Sequence, residues 1–576
     1  MSYKRPLQWV SLTTAVLCTL WFAPSLLDPF NIPKLAILVV GAATLVGLLA
    51  GYVKQWWKRD ELPVLVAAGV FLLAMTLAGF ASPQNAYRTL WGAWARNTGW
   101  LSYATLTILL VSAALAFRGR DSRFVLVTLA GVGNANALYG VLQATGNDPI
   151  KWNNTYNPII GTVGNPDFAS ALMGISVIAL VWMLLDPVAG TWRRAIAGVD
   201  ALFVLFVVYK TQAIQGLLAA AIGIVVVGGA WLTLHERERV RKLIWPWIAA
   251  AVVGAAAVIL GTMQIGPTTK YFFKPSVLYR SDYYAAAIEM IKRKPIFGVG
   301  LDSYGDWFRL VRSPIQVARR GPDIVSNAAH NVVLQLGATA GLVTVAAYLA
   351  LSGVVLWRAV VGLRARETRL LMGGLAGAWA AFWMQSLVSI DQLGLTVWGW
   401  VLAGGVIAGS MPVTQQVAAR GKKSSASVEA GPSLMIAIGA ACVLGLAGIA
   451  WAAVPLNEDS AVRTAISYQV DPKNPQQVQA VTAAIEQVVP GASDPYWRAQ
   501  LVSALYRDGA IDAGIKLAVD SANQFPADVT LWQLAATAYE QTGRKALAVP
   551  YREKAVALDP LNADYAKLLA DDKATK

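Results

Sequence analysis

Runs of about twenty apolar residues recur from the start of the chain to about residue 455. Each is long enough to cross a hydrocarbon core of about 30 Å as a helix. Backbone polar groups find no water there, so only helices or a closed barrel can span it. Barrel strands would alternate apolar and polar residues over roughly ten positions, and the sequence shows no such alternation. The expected fold is all-α, a polytopic helical membrane protein of about thirteen transmembrane helices carrying a C-terminal α-solenoid. The charged fraction agrees: 14%, against about 25% in soluble domains.

Spans are expected near 8–27, 33–53, 62–81, 98–117, 122–145, 166–186, 194–209, 212–234, 243–263, 330–357, 369–390, 393–412 and 433–455. Taken alternately, the intervening segments are unequal in charge. One side collects twenty-one Lys and Arg residues, and the short loops of the other only five, Lys34, Arg88, Arg96, Lys151 and Lys210. The positive-inside rule then places the N-terminus in the cytoplasm and everything after Pro455 outside. The same placement accounts for the net charge of +15 without nucleic acid. Cys18 and Cys442 lie far apart inside apolar runs, so neither a disulfide framework nor a metal site can be built from them. The first run follows Lys4-Arg5 and ends at Leu26-Leu27-Asp28-Pro29 without a small-residue cleavage pattern, so it reads as a retained helix.

Four regions follow. Residues 1–412 form a twelve-span body with a long outer loop at 264–329. Residues 413–432 are a Gly/Ser/Lys-rich cytoplasmic linker, and 433–455 an added span. Residues 456–576 change character: charges return, and Gly509 with Gly543 and Pro526 with Pro560 recur 34 residues apart. That is the tetratricopeptide period. A solenoid of about three such units offers a concave face to a protein partner or a large acceptor. It is expected to serve acceptor choice rather than bond formation.

The outer half holds the residues suited to chemistry. Arg88, Arg96, Lys210, Arg280, Arg319 and Arg320 fall on that side; a basic cavity there fits an anionic, lipid-linked ligand, and Arg in particular grips phosphate in a bidentate fork. Arg88 and Arg96 have the alternative of snorkelling to lipid headgroups. Asn165, in Asn165-Pro166-Asp167, has the alternative of a plain helix N-cap. Lys292-Arg293-Lys294 has that of an exposed helix face. Of the two histidines, His235 lies in a charged cytoplasmic loop and reads as structural. His330 stands beside Asn331 where the polar loop turns back into apolar sequence, and its ordinary pKa suits a base. No Asp-x-Asp pair, carboxylate cluster or Cys/His ligand spacing is present, so metal-dependent chemistry is disfavoured. Nor is there a phosphate-binding loop or dinucleotide fingerprint.

Four stretches, in order around the long loop, resemble the O-antigen ligase and O-antigen polymerase superfamily over residues 10 to 410. They are Gly161-Thr162-Val163-Gly164-Asn165-Pro166-Asp167; Arg280 with Tyr284, Ala287 and Met290; Pro295 with Gly298-Val299-Gly300 and Tyr304; and Ala329-His330-Asn331 with Gly341-Leu342. The resemblance implies a GT-C-like helical fold in a bacterial cytoplasmic membrane. It implies a glycan carried on undecaprenyl pyrophosphate and passed, with inversion and with no metal, nucleotide or other cofactor, to a hydroxyl on a glycan, lipid or protein acceptor. His330 would act on that hydroxyl. Arg280 would hold the pyrophosphate, with Arg88, Arg96, Arg319 or Arg320 in support. Asn165, Asn331 and Asp282 would position or brace. The family's Ser-Arg before the loop is replaced here by Thr211-Gln212-Ala213-Ile214-Gln215, leaving Lys210 as substitute. The competing class is a lipid-linked oligosaccharide flippase or other transporter, which would show related halves and polar residues spread through the spans; neither is evident.

Overall fold

A computed structural model describes residues 4–50, 61–152, 157–272, 275–411 and 432–574. Among these the regular elements are all helical. The first third holds α1 (Lys4–Leu20), α2 (Asn31–Ala50), α3 (Leu62–Phe80), α4 (Ala86–Trp91), α5 (Trp100–Ala116), α6 (Arg123–Ala144) and α7 (Pro166–Leu185). Next come α8 (Thr191–Lys210), α9 (Ile214–Leu234), α10 (Glu238–Arg241) and α11 (Ile244–Thr262). The long loop carries α12 (Thr269–Phe272), α13 (Pro275–Arg293), α14 (Tyr304–Val311) and α15 (Pro314–Arg320). Then follow α16 (Val332–Arg364), α17 (Arg369–Val388), α18 (Leu393–Gly409) and α19 (Pro432–Ser467). The chain closes with α20 (Pro475–Val488), α21 (Pro495–Arg507), α22 (Ile511–Gln524), α23 (Val529–Gln541), α24 (Lys545–Leu558) and α25 (Ala563–Ala574).

Each of the thirteen apolar runs coincides with a helix. Among the described residues nine helices are long and apolar enough to cross a membrane, and α5 and α18 are shorter apolar helices. The first helix stops at Leu20, short of the expected residue 27, because Pro24 and the Asp28 cap on α2 follow. The basic stretch at 51–60 and the linker, save Pro432, lie outside the described residues.

Helix starts on one face of the bundle are set by side-chain caps. Asn85, Asn165, Asn331 and Gln392 each accept a backbone N–H of the first turn, donors that the helix itself leaves unpaired. On the same face Lys34 is fully buried, its Nζ donating to the carbonyls of Thr19, Trp21 and Thr162 at 2.7–3.0 Å. It therefore ties α1, α2 and the approach to α7 together.

The loop motif and the helix after it interlock. α16 is interrupted at Gly341, with φ +82° and ψ 170°. The turn Pro295–Gly300 fills the break: Val299 N donates to Ala338 O at 2.8 Å, Gly300 N to Thr339 O at 3.2 Å, and Leu342 N to Pro295 O at 2.8 Å. A Cβ on Gly341 would run into the Ile296 carbonyl, and its φ disfavours any side chain. Gly341→Ala is therefore expected to cost about 2–4 kcal/mol, seen as a lower thermal midpoint in detergent. An unchanged midpoint would show that turn and helix can separate.

Beyond the membrane body, α21–α22 and α23–α24 repeat at 34 residues, each pair turning on a left-handed glycine, Gly509 (φ +83°) and Gly543 (φ +74°). The expected boundary between the last span and the C-terminal region, at residues 455 and 456, falls inside a helix: α19 passes through Pro455 and continues to Ser467, so its last third already packs with the C-terminal domain. That domain is docked. The buried Asp459 carboxylate accepts Leu27 N, Asp28 N, Trp94 Nε1 and Trp497 Nε1 at 2.6–3.1 Å. Trp94 stacks on Tyr496 with centroids 3.8 Å apart, and Asn85 donates to Ser493 O at 3.0 Å. The linker precedes α19 and leaves no slack between helix and domain.

Candidate functional site

The loop ends on His330 in a left-handed conformation, φ +54°, unusual for a residue with a side chain. Asn331, next to it, caps α16 and donates Nδ2 to the Leu387 carbonyl at 3.0 Å. Tyr284 of α13 donates to the same carbonyl at 3.3 Å, with a longer contact of 3.5 Å to the His330 carbonyl. Tyr283 stacks on the imidazole at 5.0 Å. His330 is thus wedged between α13 and the end of α17, with no hydrogen bond to either ring nitrogen from the described residues. Burial, then the nearby charges of Arg280 and Arg96, push its pKa down to about 4. The ring is neutral near pH 7 and free to accept a proton.

The cations differ in how they are occupied. Arg280 lies one helical turn before Tyr284 on the same side of α13, half-buried, and among the described residues pairs with no carboxylate. Arg96 is 5% exposed. Its Nε is 3.5 Å from Asp302, its Nη1 has no hydrogen-bond partner, and its charge reaches His330. Lys210 is exposed at the end of α8, over the Phe206 ring at 5.5 Å. The remaining three are committed. Arg88 lies between Asp306 at 2.9 Å and Asp494 at 3.4 Å, which braces the domain junction and leaves no unbalanced charge for a phosphate. Arg319 pairs with Asp282 at 3.2 Å. Arg320 donates to Tyr283 Oη at 2.6 Å and lies 4.1 Å over the Tyr279 ring.

The fold therefore gathers His330, Arg280, Asn331 and Tyr284, with Arg96 behind them. Asn165 sits apart as the cap of α7, and Asp282 is the counter-ion of Arg319 rather than a free carboxylate. His235 caps the far end of α9. Two contributors escape a sequence reading. Tyr283 differs from Tyr284 only in the helix face it presents, and nothing local marks Asp302, which accepts Ala93 N, Thr98 N and Thr98 Oγ1 at 2.7–3.1 Å and so orders the loop around Arg96. Among the described residues no group of three or more His, Cys, Asp or Glu side chains is placed to hold a metal ion.

An apolar groove of about 2070 Å³ runs beside this cluster, between α9, α11, α16 and α17. It exists because α11 stands off from the bundle, with only Gly261 buried. Leu217, Val225, Ala255, Leu356 and Met384 line it, and Lys210, Gln212, Leu387 and Val388 form one end. Leu387 is the residue whose carbonyl holds Tyr284 and Asn331, so the groove opens beside the face carrying Arg280 and His330. Residues 201–349, from within α8 to within α16, match the family described as O-Antigen ligase. No curated protein matches the chain.

Proposed function

Because the chain belongs to the O-antigen ligase/polymerase superfamily of membrane proteins that transfer glycans, we propose that it moves a glycan from an undecaprenyl-pyrophosphate donor to an acceptor hydroxyl. The transfer takes place at the extracytoplasmic face of the cytoplasmic membrane and inverts the anomeric centre. The observation that carries this reading is a guanidinium with no carboxylate partner among the described residues, Arg280, and a neutral imidazole, His330, beside one end of an apolar groove. The groove takes the prenyl tail. Lys210 at its mouth and Arg280 on α13 meet the pyrophosphate, with Arg96 adding positive potential from behind. The acceptor oxygen attacks the anomeric carbon as the bond from that carbon to the pyrophosphate oxygen breaks. The hydroxyl proton goes to His330, and the charge gathering on the pyrophosphate is met by Arg280. The leaving group is already a good one, so positioning and charge stabilisation are what the protein must supply.

The test is purified protein in lipid nanodiscs with a polyprenyl-pyrophosphate oligosaccharide and three acceptors in parallel: a glycan, a lipid-linked core saccharide and a serine-containing peptide. Mass spectrometry should show one of them extended by the donor glycan. In sealed proteoliposomes, movement of intact donor across the bilayer without transfer would favour a flippase.

The depressed His330 pKa sets a pH profile. Its folded-state value, about 4, lies below that of a free imidazole, so the neutral ring persists as pH falls through 6.5 and is lost only around 4. The acid limb of kcat/KM, which reports the free enzyme, is expected near 4. Bound pyrophosphate favours the imidazolium, so the limb of kcat should lie higher. A kcat/KM limb at an ordinary histidine value would mean that neither burial nor the charges of Arg280 and Arg96 lower the proton affinity of the ring.

A further inference from the structure

We infer that the C-terminal helical domain positions the transfer site, through Asp559. This rests on the function proposed above. Asp559 follows α24 and is fully buried. Its two oxygens pair with Arg309 at 2.8 Å and Arg312 at 2.6 Å, both on the long loop at α14. The other nitrogen of Arg312, Nη1, donates to Pro322 O at 2.7 Å, tying the end of α14 to the chain leaving α15. Gln316 Nε2 closes the same unit, donating to Ile324 O at 3.1 Å.

From α15 the connection continues to the site. Arg320 grips Tyr283, whose ring lies against His330, while Arg319 holds Asp282 one residue earlier on α13. Tyr304, at the start of α14, donates to the Tyr283 carbonyl at 2.7 Å. A second strut, Arg88 between Asp494 of the domain and Asp306 of α14, acts on the same short helix. An eight-residue helix cannot hold its own place. Here α14 is held from one side by the site's own apolar cluster of Tyr283, Met290, Tyr304 and Phe308, and from the other by carboxylates of the domain.

The grip at Asp559 is ionic. Removing that carboxylate leaves two guanidinium groups facing each other in a buried space. The loop should then loosen while the domain and the membrane body, each with its own core, stay folded. Asp559 is a positioning residue, since it does not touch the reacting groups.

The experiment uses the full chain in nanodiscs and compares Asp559→Asn, Asp559→Glu and, as control, Asp512→Asn, whose carboxylate is in a surface pair with Arg544 inside the domain. Limited trypsin digestion is mapped by mass spectrometry, and kcat and KM are measured beside it. Asp559→Asn is expected to speed cleavage after Arg309, Arg312, Arg319 and Arg320 by about tenfold or more while cleavage within α20–α25 stays as in the parent. It should lower kcat by about 10–100-fold with KM for the donor nearly unchanged, and Asp559→Glu should recover part of both. Asp512→Asn should change neither. Should Asp559→Asn misfold, the double variant Arg309→Gln/Arg312→Gln is read at Arg319 and Arg320 alone, with the same expectation. Parental cleavage of the loop overturns the inference, as does a loosened loop with parental kcat. The digestion pattern does not depend on transfer, so failure of the latch and failure of the proposed chemistry remain distinguishable.

Discussion

His330→Asn is expected to lower glycan transfer by about 10²–10⁴-fold, the usual contribution of a general base, and to leave donor binding nearly intact. The imidazole is held for this task. Its backbone is left-handed, Tyr283 stacks on it, and no described group hydrogen-bonds its nitrogens. Its proton affinity is low for a histidine because it is buried near two cations, so it accepts a proton fully only once the pyrophosphate has brought negative charge alongside. Asparagine is the informative replacement because it tolerates the left-handed conformation, whereas alanine there would add backbone strain to the loss of the ring. A companion measurement of donor affinity separates the two roles. If His330→Asn binds donor normally and also transfers normally, the imidazole only packs against Tyr283 and another group or solvent takes the proton. The half-buried Asp391, hydrogen-bonded to Tyr103 and Thr396, would then be the next candidate.

Arg280→Ala should lower kcat/KM by about 10²–10³-fold and weaken donor binding as well. A clamp on pyrophosphate acts on the bound donor and on the departing charge, so both constants change. Arg280 has no carboxylate partner among the described residues, and its removal should alter stability by no more than about 0.5 kcal/mol. That separates it from Arg88, Arg319 and Arg320, whose loss would leave a buried carboxylate or an aromatic face without its partner. Arg280→Lys should recover only part of the activity, because an ammonium cannot make the two parallel hydrogen bonds of a guanidinium. Donor affinity is measurable by fluorescence with a labelled polyprenyl pyrophosphate, and turnover by mass spectrometry. Parental values for both would falsify the clamp and move the search to Lys210 and Arg96.

Much of this molecule could be read along the chain, because it is governed by short-range chemistry. An apolar run of twenty residues has few alternatives to a helix in hydrocarbon, and each such run is helical. The 34-residue recurrence of glycine reappears as two left-handed turns. Asn165 starts a helix because its side-chain oxygen lies within reach of the next free N–H. Pro295–Gly300 and Gly341 were linked only by order in the sequence; the hydrogen bonds that the α16 break leaves to the turn give the reason.

What could not be read is which charges are spent. Arg88 and Arg280 are alike as sequence, each a lone arginine in an outer segment. One finds Asp306 and Asp494, hundreds of residues away, and the other finds no carboxylate among the described residues. Pairing of that kind is set by which loops the fold brings into contact, and a carboxylate carries no local mark of its partner. The groove is similar: α11 is as apolar as its neighbours, and only its distance from the bundle makes a cavity. So is the C-terminal domain, expected to begin at residue 456. Because α19 continues as one helix to Ser467 and buries Asp459 against the loops, the domain stands over the site, where Asp559 can reach Arg312.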